Sequence, residues 1–124
     1  MTIDSNIIIG YLAGDRKVTQ ALQTWTSESR QLFLSTIVES EVLAFSGWKG
    51  SEYSSTVAFL EESFTSIPFD RSVARIAAEL RRSTKIKLPD AAIAATALYT
   101  HTPVVTRNVK DFRKIPGLEI VFLA

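Results

Sequence analysis

The chain has 124 residues, 46% of them hydrophobic and 22% charged, which is enough apolar material for one core and too little chain for two; a single domain over residues 1–124 is expected. Having no Cys and one His (His101), it can form neither a disulfide, a thiolate zinc site nor a multi-histidine centre, so any metal must be held by oxygen, and with no apolar run near the roughly 18–20 residues of a membrane span and no export-type opening, a cytoplasmic, membrane-free protein is expected. The net charge of +1 hides a split, −5 over residues 1–70 and +6 over residues 71–124, so the second half is suited to face a polyanion.

Thr2-Ile3-Asp4 reads as a short opening strand, followed by a helix from Ser5 to Ala13 that ends before Gly14 and a second helix near Arg16 to Thr26. Gln31 to Leu34 is too short for anything but a strand. Thr36-Ile37-Val38-Glu39 then matches a capping box opening a helix to about Ser46, with Gly47 and Gly50 marking a turn. Tyr53, Val57, Leu60 and Phe64 fall on one stripe of a helix from Ser51 to Phe64. Ile67-Pro68-Phe69 is a brief strand whose Pro indicates an edge or a strand end. Asp70 caps a helix burying Val73, Ile76, Ala77 and Leu80, and Pro89 opens an Ala-rich helix reaching Tyr99. A strand (Val104 to Thr106), a polar turn with a short helix (Asn108 to Arg113) and a strand (Leu118 to Phe122) complete the chain. Strands separated by helices predict an α/β fold in three layers, a mostly parallel sheet of 4–5 short strands with helices on both faces, whose ligands sit beyond the carboxyl ends of the strands.

Four acidic residues are placed at that edge: Asp4 ends the first strand, Glu41 follows the second, Asp90 opens its helix and Asp111 follows the fourth strand. Carboxylates gathered there repel one another unless a cation offsets the charge, and a hard divalent ion with oxygen ligands suits them. Asp90 has an alternative use at a helix start and Asp111 as a turn residue. Glu41 competes with Glu39, which lies on nearly the opposite helix face and has the capping role. Asp4, wedged between Ile3 and the Ile7-Ile8-Ile9 run, is the hardest to explain as a surface charge.

Asp4-Ser5-Asn6-Ile7-Ile8, Ser35 through Glu41, Leu88-Pro89-Asp90 through Ala97, and Thr106-Arg107-Asn108-Val109-Lys110-Asp111-Phe112 together resemble, in order and spacing, the landmarks of PIN domains, with the nearest likeness to VapC-type toxins of bacterial toxin–antitoxin pairs. The resemblance spans essentially the whole chain. Where the family often has Gly four residues after its helical Glu, this chain has Phe45. The resemblance implies a PIN-like fold and a Mg²⁺- or Mn²⁺-dependent endoribonuclease, usually a homodimer, neutralised by a VapB-like antitoxin that reaches a groove near the acids. It assigns Asp4, Glu41, Asp90 and Asp111 as catalytic and metal-holding residues, Glu41 acting directly or through water, with Thr106 and Asn108 supporting them. Arg107, Lys110 and Lys87 are the expected RNA contacts among a larger basic set.

Other chemistries lack their residues. Asn6 stands where a haloacid-dehalogenase-type phosphatase needs a second Asp, no acidic pair suits a response-regulator receiver, and no Gly-rich loop cradles a nucleotide. The alternative of another class is a catalytically silent PIN-like module that only binds proteins.

Overall fold

Strands and helices alternate along residues 1–124, all of which the computed structural model describes. The order is β1 (Thr2–Ile3), α1 (Ser5–Leu12), α2 (Arg16–Ser27), β2 (Phe33–Ser35), α3 (Thr36–Leu43), α4 (Glu52–Ser63), β3 (Thr65–Ile67), α5 (Arg71–Thr84), α6 (Leu88–Thr100), β4 (Val104–Thr106), α7 (Val109–Phe112) and β5 (Ile120–Phe122). The five strands form one parallel sheet in the order β3-β2-β1-β4-β5, with Thr2 opposite both Phe33 and Val104, and Ile3 opposite Val105. From β1 the chain builds outward to β2 and β3 on one side and to β4 and β5 on the other. Strand order therefore reverses beside β1, and the crevice beyond the strand ends there is where such sheets bind ligands.

The central strands show why helices cover both faces. Thr2, Ile3, Leu34, Ser35, Val104, Val105 and Thr106 are all buried, without the in–out alternation of a one-sided sheet. The buried hydrophobic residues form one core cluster to which the helices contribute, among them Ile7 and Ile8 of α1, Val38 and Val42 of α3, and Val73, Ala77 and Leu80 of α5. In α6 every residue from Ala91 to Ala97 is buried, because small side chains let that helix lie against both α5 and the sheet.

Side-chain caps start several helices. Asp15 Oδ1 accepts from the amides of Lys17 and Val18 at 2.9 and 3.3 Å, and Asp70 Oδ1 from that of Val73 at 3.1 Å. The expected capping box at Thr36 is displaced by one residue. Ser35 is the N-cap of α3, accepting from the Ile37 amide at 3.2 Å, while the Thr36 hydroxyl accepts from the Phe69 amide at 3.0 Å and so pins the chain leaving β3. Glu39 consequently stands one position too far along α3 for the reciprocal bond. The third strand also begins earlier than expected: Thr65 to Ile67 pair with Phe33 to Ser35, and Pro68, unable to donate to a ladder, lies just beyond the end of this edge strand. The expected stripe of α4 is only partly buried, since Leu60 and Phe64 enter the core but Tyr53 remains 48% exposed, edge-on to Trp48, which is itself edge-on to Phe45.

Candidate active site

Asp4 leaves the carboxyl end of β1 and occupies the N-cap position of α1, yet its side chain makes no cap bond. It is only 4% exposed and turns instead to the neighbouring strand, where the Thr106 hydroxyl donates to its Oδ2 at 2.6 Å; Ser5 Oγ donates more weakly to Oδ1 at 3.3 Å. Thr106 is fully buried at the end of β4, and its oxygen also accepts from Asn6 Nδ2 at 3.3 Å and from the Asn108 amide at 2.9 Å. With two donors directed at that oxygen, its one proton is committed to Asp4. Asn108 serves a second acid, donating through Nδ2 to Asp111 Oδ2 at 3.2 Å. Thr106 and Asn108 are thus each hydrogen-bonded to one of the expected site acids.

Electrostatics ties the four acids together. The Asp90 carboxyl, in the first turn of α6, is pushed up to about 6 from 3.8, first by loss of solvent and then by the charges of Asp4, Asp111 and Glu41, against a small opposing pull from Lys87. Burial raises the Asp4 carboxyl, an effect the Thr106 hydrogen bond partly offsets. Glu41 is likewise raised, by desolvation and then by Asp4, although it is exposed on α3. The charges of Asp4, Asp111 and Glu41 thus all bear on Asp90. Glu39, by contrast, lines a recess with Leu34, Leu60 and Phe64.

The donor set is oxygen only, and negative charge on it exceeds what Lys87 balances. No three acidic or histidine side chains stand together as a ready-made metal cage. Mg²⁺ does not need one, since it typically takes one or two carboxylates directly and keeps several waters. Asp4 is the most buried of the four acids, with Oδ2 held by Thr106 and Oδ1 in the longer contact with Ser5 Oγ.

Of the three expected RNA contacts, Lys87 and Lys110 are exposed near Asp90 and Asp111. Arg107 is used differently: its Nη2 pairs with Asp15 Oδ2 and its amide donates to Asn6 Oδ1 at 3.3 Å. Asn6 was not singled out from the sequence, although a polar residue two positions after Asp4 amid an isoleucine run is the signal that marks it. Beside Glu41, the exposed side chains of Ile9, Leu12 and Phe45, together with Trp48, line an apolar groove of about 630 Å³.

The sequence profile of the family described as PIN domain matches residues 1–118. This chain belongs to the PIN-domain family. Two relatives of this PIN domain come from Rickettsia. Ribonuclease VapC1 of Rickettsia felis is 34% identical, and Ribonuclease VapC of Rickettsia bellii 28% identical, each alignment covering 98% of this chain and 94% of the relative. Among solved structures, a toxin–antitoxin complex from Klebsiella pneumoniae superposes with a TM-score of 0.81 at 34% identity, covering 99% of this chain and 97% of that one. VapBC2 from Rickettsia felis, bound to a DNA fragment from its promoter, superposes at 0.84 with 21% identity over 99% and 98% of the two chains, a likeness of fold. The three-layer architecture expected from the sequence is the PIN fold, and the recognised likeness to VapC-type proteins is the one these relatives carry.

Proposed function

We propose that this PIN domain is an endoribonuclease dependent on Mg²⁺ or Mn²⁺ and acts as the toxin of a toxin–antitoxin pair. The observation that carries the reading is the buried Asp4 carboxylate, held by Thr106 where strand order reverses, whose charge with those of Asp111 and Glu41 acts on Asp90. Uncompensated carboxylates at a ligand crevice are costly in a protein with no use for a cation.

When bound, the ion would supply positive charge that polarises the scissile phosphate and makes an attacking water more acidic. Asp4, Asp90 and Asp111 would hold it. The hydrogen bonds from Thr106 to Asp4 Oδ2 and from Asn108 to Asp111 Oδ2 would steady these two carboxylates around the ion. Glu41 is exposed and its affinity for a proton is raised, which suits it to receive a proton from water or to hold a water in place. The exposed Lys87 and Lys110 would meet phosphates of a bound strand, whereas Arg107 is paired with Asp15. The names of the Rickettsia relatives support the ribonuclease reading, and the toxin–antitoxin complex supports a VapB-like partner, for which the apolar groove beside Glu41 offers a surface. Self-association as a homodimer and a cytoplasmic location belong to the same reading.

The test is cleavage of a panel of structured RNAs by parent and Asp4→Asn protein, each purified beside a mock preparation. Internal cleavage that requires Mg²⁺ or Mn²⁺ and is abolished in the folded variant is expected. No cleavage by the parent with either ion would return the chain to a protein-binding module, and undiminished cleavage by the variant would remove Asp4 from the site.

A further inference from the structure

Asp15 and Arg107 are 92 residues apart, yet Arg107 Nη2 and Asp15 Oδ2 form an ion pair in which each side chain is about two-thirds buried, at 30% and 33% exposure. The pair joins two tightly built segments. Asp15 caps α2 through Oδ1, and its own amide donates to Gly10 O at 2.9 Å, so the carboxylate is fixed to the end of α1 and the start of α2. Arg107 lies between Thr106 and Asn108, whose hydroxyl and amide belong to the Asp4 network, and its amide donates to Asn6 Oδ1. That bond orients the Asn6 carboxamide so that Nδ2 faces Thr106.

The fold makes room for this contact. A Cβ at Gly10 would come within 3.1 Å of Arg107 Nη1 and 3.2 Å of Val18 Cγ2, so a side chain there would press on the guanidinium. Arg107 Nε is buried without a partner. A partly desolvated pair with an unsatisfied donor adds little net stability. Arg107 also holds the Asp15 carboxyl below the usual carboxylate range.

We propose that Asp15 and Arg107 are a positioning pair, which anchors residues 106–108 against the α1–α2 turn and thereby holds the Asn6–Thr106–Asp4 chain that aims the Asp4 carboxylate. The inference rests on the nuclease reading above for its catalytic consequence, while the hydrogen-bond chain itself can be observed without metal or RNA.

Two variants isolate the pair. Asp15→Asn removes the charge while keeping an equally good N-cap for α2, so the fold is retained. Arg107→Lys keeps the charge while losing the planar fork. Both are compared with the parent for cleavage with Mn²⁺, resolved into kcat and KM, and for the Asn6 side-chain amide signals in the ¹H–¹⁵N spectrum of the metal-free protein. A fall in kcat of roughly 10- to 100-fold with unchanged KM, as outer groups that orient ligating carboxylates ordinarily cost, is expected in both, together with shifted or broadened Asn6 signals. A direct phosphate contact by Arg107 predicts the opposite pattern: Asp15→Asn would free the guanidinium and lower KM, with kcat unchanged. That pattern, or Asn6 signals at their parental positions in Asp15→Asn, would overturn the proposal. If the parent itself cleaves no RNA, the nuclease reading fails separately, and the Asn6 signals alone decide whether the pair holds the chain.

Discussion

Replacing Asp90 by Asn is expected to stabilise the metal-free protein at neutral pH. Its carboxyl titrates at about 6 because loss of solvent and then Asp4, Asp111 and Glu41 disfavour the charge, whereas its ordinary value is 3.8. That gap, at about 1.36 kcal/mol per pH unit, sets a ceiling of about 3 kcal/mol on the destabilisation caused by ionised Asp90. Solvent screening at this partly exposed group roughly halves it. The lost attraction between the carboxylate and the start of α6 takes back about 0.3–1 kcal/mol. About 1 kcal/mol remains, or about 4 °C in Tm for a chain of this size. The native state keeps the Asp90 proton up to about pH 6, while the unfolded chain releases it near 3.8, so within that window the native state binds more protons. Stability present below the window is lost as pH rises through it, and the advantage of the Asn variant should grow from about pH 4 to about pH 7 and then level off. Thermal melts of parent and variant in chelator across that range measure it. Added Mn²⁺ should reverse the order by stabilising the parent more, since a ligand of the folded state raises stability by mass action. A variant less stable than its parent in chelator near neutral pH would refute the argument and make Asp90 a helix-start residue.

Three further outcomes are expected. Thr106→Val keeps the shape but leaves Asn6 Nδ2 and the Asn108 amide without their acceptor, which should cost about 1–3 kcal/mol in urea unfolding and lower kcat roughly 10- to 100-fold. Ser35→Ala removes the cap on Ile37 and should cost about 1 kcal/mol in urea unfolding. Lys110→Ala should weaken RNA binding, measured as KM at several salt concentrations, and flatten the dependence of log affinity on log salt by about 0.7, leaving kcat unchanged.

Local patterns were legible where local physics decided them. The helix of Val73, Ile76, Ala77 and Leu80 and its Asp70 cap follow from spacing, and the structure keeps both. The capping box failed by one position because both Ser35 and Thr36 can cap, and tertiary structure chose between them by giving the Thr36 hydroxyl to the Phe69 amide, 33 residues away. The third strand was misplaced for a related reason: Thr65 and Ser66 are polar and exposed, and only pairing with Phe33 and Leu34 makes them a strand. At the candidate site, Asp4 stood out in the sequence because a carboxylate directly after an apolar strand is conspicuous. The Asp15–Arg107 pair did not, since nothing near either residue announces a partner across most of the chain. Arg107 therefore read as one more basic residue in a basic half.

The hydrogen bond from Thr106 to Asp4 spans 102 residues and lies where β1, only two residues long, meets β4. Strand pairing at such separation must close a long loop before it gains anything. During synthesis, a chain that already carries Asp4 cannot complete the support of that carboxylate until residue 106 has left the ribosome and β4 has docked. Whatever depends on the supported Asp4 carboxylate therefore waits on the docking of a strand about a hundred residues further along the chain.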